Sequence, residues 1–567
     1  MLRNRLSLFI AIGTIILSSC QKNSSPTSVI GPLGDSAMVA SAHPLSTQIG
    51  LQVLREGGNA FDAAVATHFA LAVVYPRAGN VGGGGFALYR MKDGEIGSLD
   101  FREKAPARAS RDMFLDEQGN IVDRLSIIGH KAAGVPGSVD GILKLYDQFG
   151  TKSLRELLAP AIDLATSGYA ITQDQADEYN AKRDDFIQVN GPDFFLVKNE
   201  PWQEGDTVKY TELAGTLALI RDQGRSGFYE GIVADQIVKE MESGGGLISL
   251  DDLSGYSSKW RDPIVGNYRG YKVISMPPPS SGGVALLQLL QGSEKYDIPA
   301  MGHNTPETIH ILTELERRVY ADRATHLGDP DYYDVPVQML LDPAYNKKRF
   351  STIQKDKKTD SQDVKEGEVD IIESVQTTHF SIVDTYGNAV AITTTLNSYF
   401  GCKVYVDGAG FFLNNEMDDF SSKPGVPNQF GLIGDDANAI VPNKRMLSSM
   451  TPTIVEKDGN LKMVLGTPGG STIITSVFQT IMNVVDHEMG MQEAVNANRT
   501  HSQWLPDRIL IEERWTDGET IKKLEQLGHV IEYRKALGKM DCILLRADST
   551  LEGGADYTRG DNYAEGF

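Results

Sequence analysis

Gln376-Thr377-Thr378-His379-Phe380-Ser381 opens a β-patterned segment about two-thirds of the way along the chain. The run before it, 351–370, is polar, charged and without periodicity, and it reads as a mobile, exposed stretch where cutting is sterically easy. If the bond between Gln376 and Thr377 is broken, Thr377 becomes an N-terminus. One residue then carries a hydroxyl nucleophile and an α-amine that can act as its base. Such an amine titrates near ~8, so part of it is unprotonated at neutral pH. An internal threonine has no such amine, which makes cleavage a chemical requirement of this mechanism. The same hydroxyl can start it by attacking the Gln376 carbonyl. His379 lies on the same face of a strand as Thr377, but roughly 6–7 Å away by the strand rise. That is too far for a direct hydrogen bond, so His379 reads as a packing histidine.

Working outward, 377–384 and 389–398 are two short strands around Tyr386-Gly387-Asn388, a hairpin signal. A strand at 461–466 leads through Thr467-Pro468-Gly469-Gly470-Ser471 into a helix over about 472–486. Upstream, 45–56 has helical spacing, stopped by Gly57-Gly58, and Asn59 can cap the next helix. Residues 60–75 are apolar nearly all round, which predicts a helix buried between layers. The four glycines 82–85 precede a strand at 86–90 and lack the spacing of a nucleotide-binding fingerprint, so close backbone packing is the reading. Residues 152–330 look mostly helical, with 307–323 amphipathic.

The 567 residues carry 75 Asp and Glu against 54 Lys and Arg, a net charge of −21. That balance excludes a nucleic-acid partner, which needs a basic footprint. At the N-terminus, Arg3 and Arg5 precede an apolar run, 6–17, too short to span a bilayer. Leu17-Ser18-Ser19-Cys20 resembles a bacterial lipobox, which predicts a signal peptide over 1–19 and lipidation of Cys20. The chain is then exported and membrane-anchored through that lipid alone, facing the periplasm or the cell surface, with 20–36 as a flexible tether. The only other cysteines, Cys402 and Cys542, make no metal motif; whether they are bridged is open.

Thr377-Thr378-His379-Phe380-Ser381 resembles the nucleophile motif of the γ-glutamyltransferase (glutathione hydrolase) family. Leu413-Asn414-Asn415-Glu416-Met417-Asp418-Asp419-Phe420, Lys444-Arg445-Met446-Leu447-Ser448-Ser449-Met450 and Thr467-Pro468-Gly469-Gly470-Ser471 resemble the same family. So do Glu56-Gly57-Gly58-Asn59-Ala60 and Asp100-Phe101-Arg102-Glu103-Lys104-Ala105-Pro106. The likeness runs from about residue 37 to 567. It implies an α+β fold, the four-layer αββα sandwich of the N-terminal nucleophile hydrolases. A large subunit, 37–376, and a small catalytic subunit, 377–567, arise from one autoprocessed precursor and stay interlaced as a single domain, although length alone would suggest three or four.

The resemblance also implies roles for residues of this chain. Thr377 is the nucleophile, Thr395 steadies it, and Gly469 and Gly470 form the oxyanion hole. Arg102, with Ser448 and Ser449, takes the α-carboxylate of a γ-glutamyl donor; Asn397, Glu416 and Asp419 take its α-ammonium. The donors implied are glutathione and related compounds, the acceptors water, amino acids or dipeptides, and no metal or organic cofactor is needed. Two rivals share the fold. A β-lactam side-chain acylase takes a donor without an α-amine and would leave the acceptor cluster unpaired. A poly-γ-glutamate depolymerase needs an open groove, whereas 421–440 matches the lid loop of glutathione-using members, with Phe430 in place of the tyrosine of some relatives. A third reading, of another class, is a lipid-anchored binding protein that stays uncleaved.

Overall fold

The computed structural model describes residues 29–364 and 377–567; the signal segment, Cys20 and Gln376 lie outside the described residues. Thr378–Val383 pairs antiparallel with Ala389–Thr395, Val383 opposite Ala389, and the Asp384 carboxylate closes the hairpin by accepting the N–H groups of Tyr386 and Asn388. These two strands are the centre of a seven-stranded sheet. Its order is Tyr563–Gly566, Met38–Ser41, Thr378–Val383, Ala389–Thr395, Gly84–Arg90, Ile96–Phe101 and Lys259–Arg261. A second seven-stranded sheet runs Leu33–Gly34, Leu551–Ala555, Asp541–Leu545, Asn460–Leu465, Thr453–Lys457, Tyr271–Ser275 and Ile264–Tyr268. Both sheets combine strands from before and after the Gln376–Thr377 bond, so neither half can fill a sheet alone.

The sheets face each other across a layer rich in small residues, including Ala40, Ala389, Ala391 and Ala555, closed by Met38, Leu88, Ile454 and Ile543. Pro44–Arg55 and Ala60–Val74 cover the outer face of the first sheet. Gly282–Ser293, Pro306–His326 and Thr472–Val485 cover the second. The result is the αββα sandwich. Every residue of Ala60–Val74 is buried, and Asn59 caps it in a reciprocal box with Asp62, as the sequence predicts. Cys402 and Cys542 are both free, one in each of the two helix–sheet cores.

The four-glycine run works by close approach. A Cβ on Gly83 would stand 2.0 Å from the Thr395 carbonyl oxygen, at the end of a central strand. Gly83→Ala is expected to displace that strand end, lowering the melting temperature and the yield of folded protein; a variant that melts with the native protein would contradict this packing.

Two expectations need correction. The helix predicted as amphipathic over 307–323 is Pro306–His326, and beyond Glu307 its charged residues are not solvated: Glu314, Glu316, Arg317, Arg318 and Arg323 are all buried. The segment 350–364 and the loop around 502–507 cover that face. Arg318 pairs with Glu314 at 2.8 Å, the Glu314 carboxylate accepts the Thr359 N–H at 2.9 Å, and Glu316 accepts the Ser502 N–H at 2.8 Å. The described part of the polar stretch, 351–364, is mostly exposed as expected, but it is tied down rather than loose. Ser361 is buried, its hydroxyl donates to the Trp504 carbonyl, and Trp504 Nε1 donates back to the Ser361 carbonyl.

Candidate active site

Thr377 stands just ahead of its strand, 5% exposed, with φ at +144°. A β-branched residue there is strained, by about 1–3 kcal/mol. Its Oγ1 donates to Thr395 Oγ1 at 3.2 Å, and Thr395 Oγ1 also accepts the Asn397 N–H at 2.7 Å. Asn397, at φ +70°, turns the chain as the strand ends, and its Nδ2 donates to the Asn415 carbonyl at 3.0 Å. The turn Glu416–Asp419 is held by Asn414, whose Nδ2 donates to the Gly82 and Gly134 carbonyls and whose Oδ1 accepts the Glu416 N–H. One asparagine thus ties the acidic turn to the glycine run.

Arg102 follows the strand Ile96–Phe101 and is buried with its guanidinium between carboxylates. Nη1 lies 2.6 Å from Glu416 and 3.6 Å from Glu103, Nη2 2.6 Å from Asp419, and Nε and Nη2 donate to the Met446 and Leu447 carbonyls. Three carboxyls therefore share one cation. Burial outweighs the pull of Arg102 on each: Glu103 is pushed up to about 8, and Glu416 and Asp419 are raised as well. On Arg102 itself burial pulls downward but loses to the acids, so the guanidinium stays charged.

Ser448 and Ser449 complete the wall. Ser448 Oγ accepts the Met450 N–H at 3.1 Å, and Ser449 Oγ accepts from Arg323 Nη2 at 3.1 Å. Gly470, at φ +55°, lines the cavity; Gly469 sits behind it, and its carbonyl accepts the Thr472 N–H at the start of the helix Thr472–Val485. A helix N-terminus aimed at a cavity favours negative charge there. Thr377, Thr395, Arg102, Asn397, Glu416, Asp419, Ser448, Ser449 and Gly470 all line this one cavity.

The cavity is only about 20 Å³, room for a water and no more. Phe430 closes it, 3% exposed, with its ring against Gly470. Its tethers come from its backbone and its neighbours. The Phe430 carbonyl accepts Gln503 Nε2 at 3.0 Å, Asn428 Nδ2 donates to Asp419 Oδ1 at 3.0 Å, and Ser398 Oγ donates to Gln429 Oε1 at 2.7 Å. A phenylalanine can therefore close this site without the hydroxyl of a tyrosine, and the loop has to move to admit any donor.

His379 sits apart from the nucleophile. Its Nδ1 pairs with Thr393 Oγ1 at 2.8 Å and its Nε2 with Ser381 Oγ at 3.0 Å, and burial pulls its pKa down to about 3. His379→Gln is expected to lower stability while leaving the shape of the rate–pH profile unchanged; loss of a titration step from that profile would make it a base after all.

Sequence reasoning missed four residues of the site. Glu103 was quoted only as part of a motif, and Asn428 and Gln503 carried no signal of their own. Arg323 stood only as the last residue of the amphipathic stretch 307–323.

An αββα sandwich of two seven-stranded sheets, with a buried threonine heading a central strand, defines an N-terminal nucleophile hydrolase. Within that class the chain belongs to the gamma-glutamyltranspeptidase family, whose model matches residues 46–566. It is 45% identical over 532 residues to a glutathione hydrolase proenzyme of Escherichia coli, covering 94% of this chain and 92% of that one. Among solved structures it resembles a cephalosporin acylase from Bacillus halodurans, with a TM-score of 0.83, 25% identity, and coverage of 97% of this chain and 99% of that one. It also resembles a gamma-glutamyltranspeptidase of Helicobacter pylori, with a TM-score of 0.56, 50% identity, and coverage of 57% and 93%.

Proposed function

We propose that the chain is a proenzyme that cuts itself between Gln376 and Thr377 and then works as a γ-glutamyltransferase and glutathione hydrolase. The observation that carries this reading is the company Thr377 keeps: a hydroxyl nucleophile, two serines, a guanidinium and two carboxylates on one small cavity. In the first reaction the Thr377 hydroxyl attacks the Gln376 carbonyl, and hydrolysis of the resulting ester frees the Thr377 amine. Strain at φ +144° favours this step, because cutting the chain releases the torsion.

In turnover the freed amine takes the hydroxyl proton, and Thr377 Oγ1 attacks the γ-carbonyl of the donor. The N–H groups of Gly469 and Gly470 receive the oxyanion at the helix N-terminus. The amine product takes the proton and leaves, cysteinyl-glycine when the donor is glutathione. Water or the amine of an amino acid or dipeptide then attacks the γ-glutamyl ester. Thr395 holds the nucleophile's oxygen in place. The α-ammonium goes to Asn397, Glu416 and Asp419, and the α-carboxylate to Arg102, Ser448 and Ser449. An ammonium arriving among carboxyls with raised pKa values draws them into their charged forms, so donor binding releases protons.

The maturation products are a large subunit ending at Gln376 and a small one running 377–567, kept together by the two sheets to which both contribute strands. Export and a lipid anchor on Cys20 complete the proposal, supported by the apolar run 6–17 and the lipobox-like Leu17-Ser18-Ser19-Cys20. Purified protein assayed with glutathione, with and without an acceptor dipeptide, and with a glutaryl amide lacking the α-amine, tests the activity. Turnover of glutathione with little or none of the glutaryl amide is expected; the reverse preference would make the chain an acylase.

A further inference from the structure

Arg323, near the end of Pro306–His326, reaches across two loops. Its Nε donates to Ser281 Oγ at 3.0 Å and its Nη2 to Ser449 Oγ at 3.1 Å. It is 5% exposed, and among the described residues no carboxylate lies within ion-pair distance of it. The carboxylate it feels is Asp419, from beyond ion-pair distance, and charges buried at such a cost are found where a site uses them. Burial pulls Arg323 down to about 10, which still leaves it charged at neutral pH.

The contrast with Arg102 is one of contact. Arg102 is in direct contact with Glu416 and Asp419, with Glu103 beside it. Arg323 feels Asp419 only from a distance and stands directly behind Ser449. Its hydrogen bond also sets the direction of that serine. Ser449 Oγ accepts from Arg323 and Ser448 Oγ accepts from Met450, so each serine's own O–H is the group left to donate into the cavity both line. A charged donor behind the Ser449 oxygen strengthens the bond that its O–H makes in front. The second arm of the fork fixes the loop: Ser281 Oγ and its backbone N–H both donate to the Ser448 carbonyl, at 2.6 and 2.8 Å.

We propose that Arg323 is a positioning residue for substrate selection. It orients Ser449 as a hydrogen-bond donor toward the α-carboxylate of the donor, and its charge strengthens the bond that hydroxyl makes. This deepens the γ-glutamyl reading above and rests on it. It predicts that the enzyme's preference for a carboxylate-bearing donor resides largely in a residue that does not touch the donor.

The test compares kcat/KM for two anilides, γ-glutamyl and 4-aminobutyryl, which differ only in the α-carboxylate. Native protein, Arg323→Gln, Ser449→Ala and the double variant are assayed, with cleavage at Thr377 checked on a denaturing gel. Arg323→Gln is expected to lower kcat/KM for the γ-glutamyl anilide about tenfold or more, mainly through KM, with less than about a twofold change for the other anilide. In the Ser449→Ala background it should add little, because its effect passes through that hydroxyl. If Arg323→Gln does not mature, Arg323→Lys, which keeps the charge but cannot span both serines, carries the same comparison. Equal losses on the two anilides, or independent losses in the double variant, would reduce Arg323 to a support of the fold. Native protein indifferent to the α-carboxylate would instead overturn the γ-glutamyl reading, and this proposal with it.

Discussion

Thr377→Ala protein is expected to run on a denaturing gel as one uncut chain and to lose at least about 10⁴-fold in turnover. The two losses have one cause. Thr377 Oγ1 is the hydroxyl placed against Thr395 in the cavity, and without it neither the Gln376 carbonyl nor a donor carbonyl is attacked. The fold should survive, because the substitution removes a few atoms from a buried position and leaves the Thr378–Val383 pairing untouched. Thr377→Ser separates the steps further. It keeps the oxygen, so cutting and turnover should persist at reduced rate, since the methyl that restricts the side chain's rotation is gone. An alanine variant that still splits and turns over donor would place the nucleophile elsewhere.

The second large effect is expected at Arg102. Arg102→Gln leaves Glu103, Glu416 and Asp419 buried around a neutral side chain. Breaking a buried ion pair from one side costs about 3–5 kcal/mol, and kcat/KM should fall by about 10²-fold or more. Arg102→Lys should not rescue it: an ammonium is a point charge and cannot serve two carboxylates and two carbonyls at once. The sign of the pH dependence follows from the acids. Their folded-state pKa values are raised, to about 8 for Glu103. The folded state therefore binds more protons than the unfolded one, and stability falls as pH rises. The contribution is fully present below the ordinary carboxylate range, near 4–4.5, and is lost by about pH 8. Without the guanidinium the shifts grow, so the melting temperature of Arg102→Gln should recover toward native as pH is lowered from 8 to 5. A variant whose deficit is the same at both ends would mean the acids do not feel Arg102.

The sequence is most legible where local rules and packing agree. Asn59 before an all-apolar run predicts both the cap and the burial of Ala60–Val74. The hairpin from Thr378 to Thr395 follows from its alternation and turn residues. Reading failed where burial is decided by chain far away. Charges spaced on Pro306–His326 look like a solvated stripe, and nothing local says that 350–364 and 502–507 will cover them. Arg323 was lost for that reason. At the site, motif resemblance named the polar residues that line the cavity. It could not say that Arg102 rests between Glu416 and Asp419, nor that Phe430 is tethered through its backbone to Gln503. Those are relations between side chains, and only the fold sets them.

The claim on which the account turns is that a cut before Thr377 makes one residue both nucleophile and base. Mass spectrometry of the purified protein, acid-quenched during turnover of a γ-glutamyl donor, tests it most directly. A fragment beginning at Thr377 and carrying one γ-glutamyl group on that residue is expected. An intact chain that consumes the donor, or a γ-glutamyl group carried on any other side chain, would contradict it.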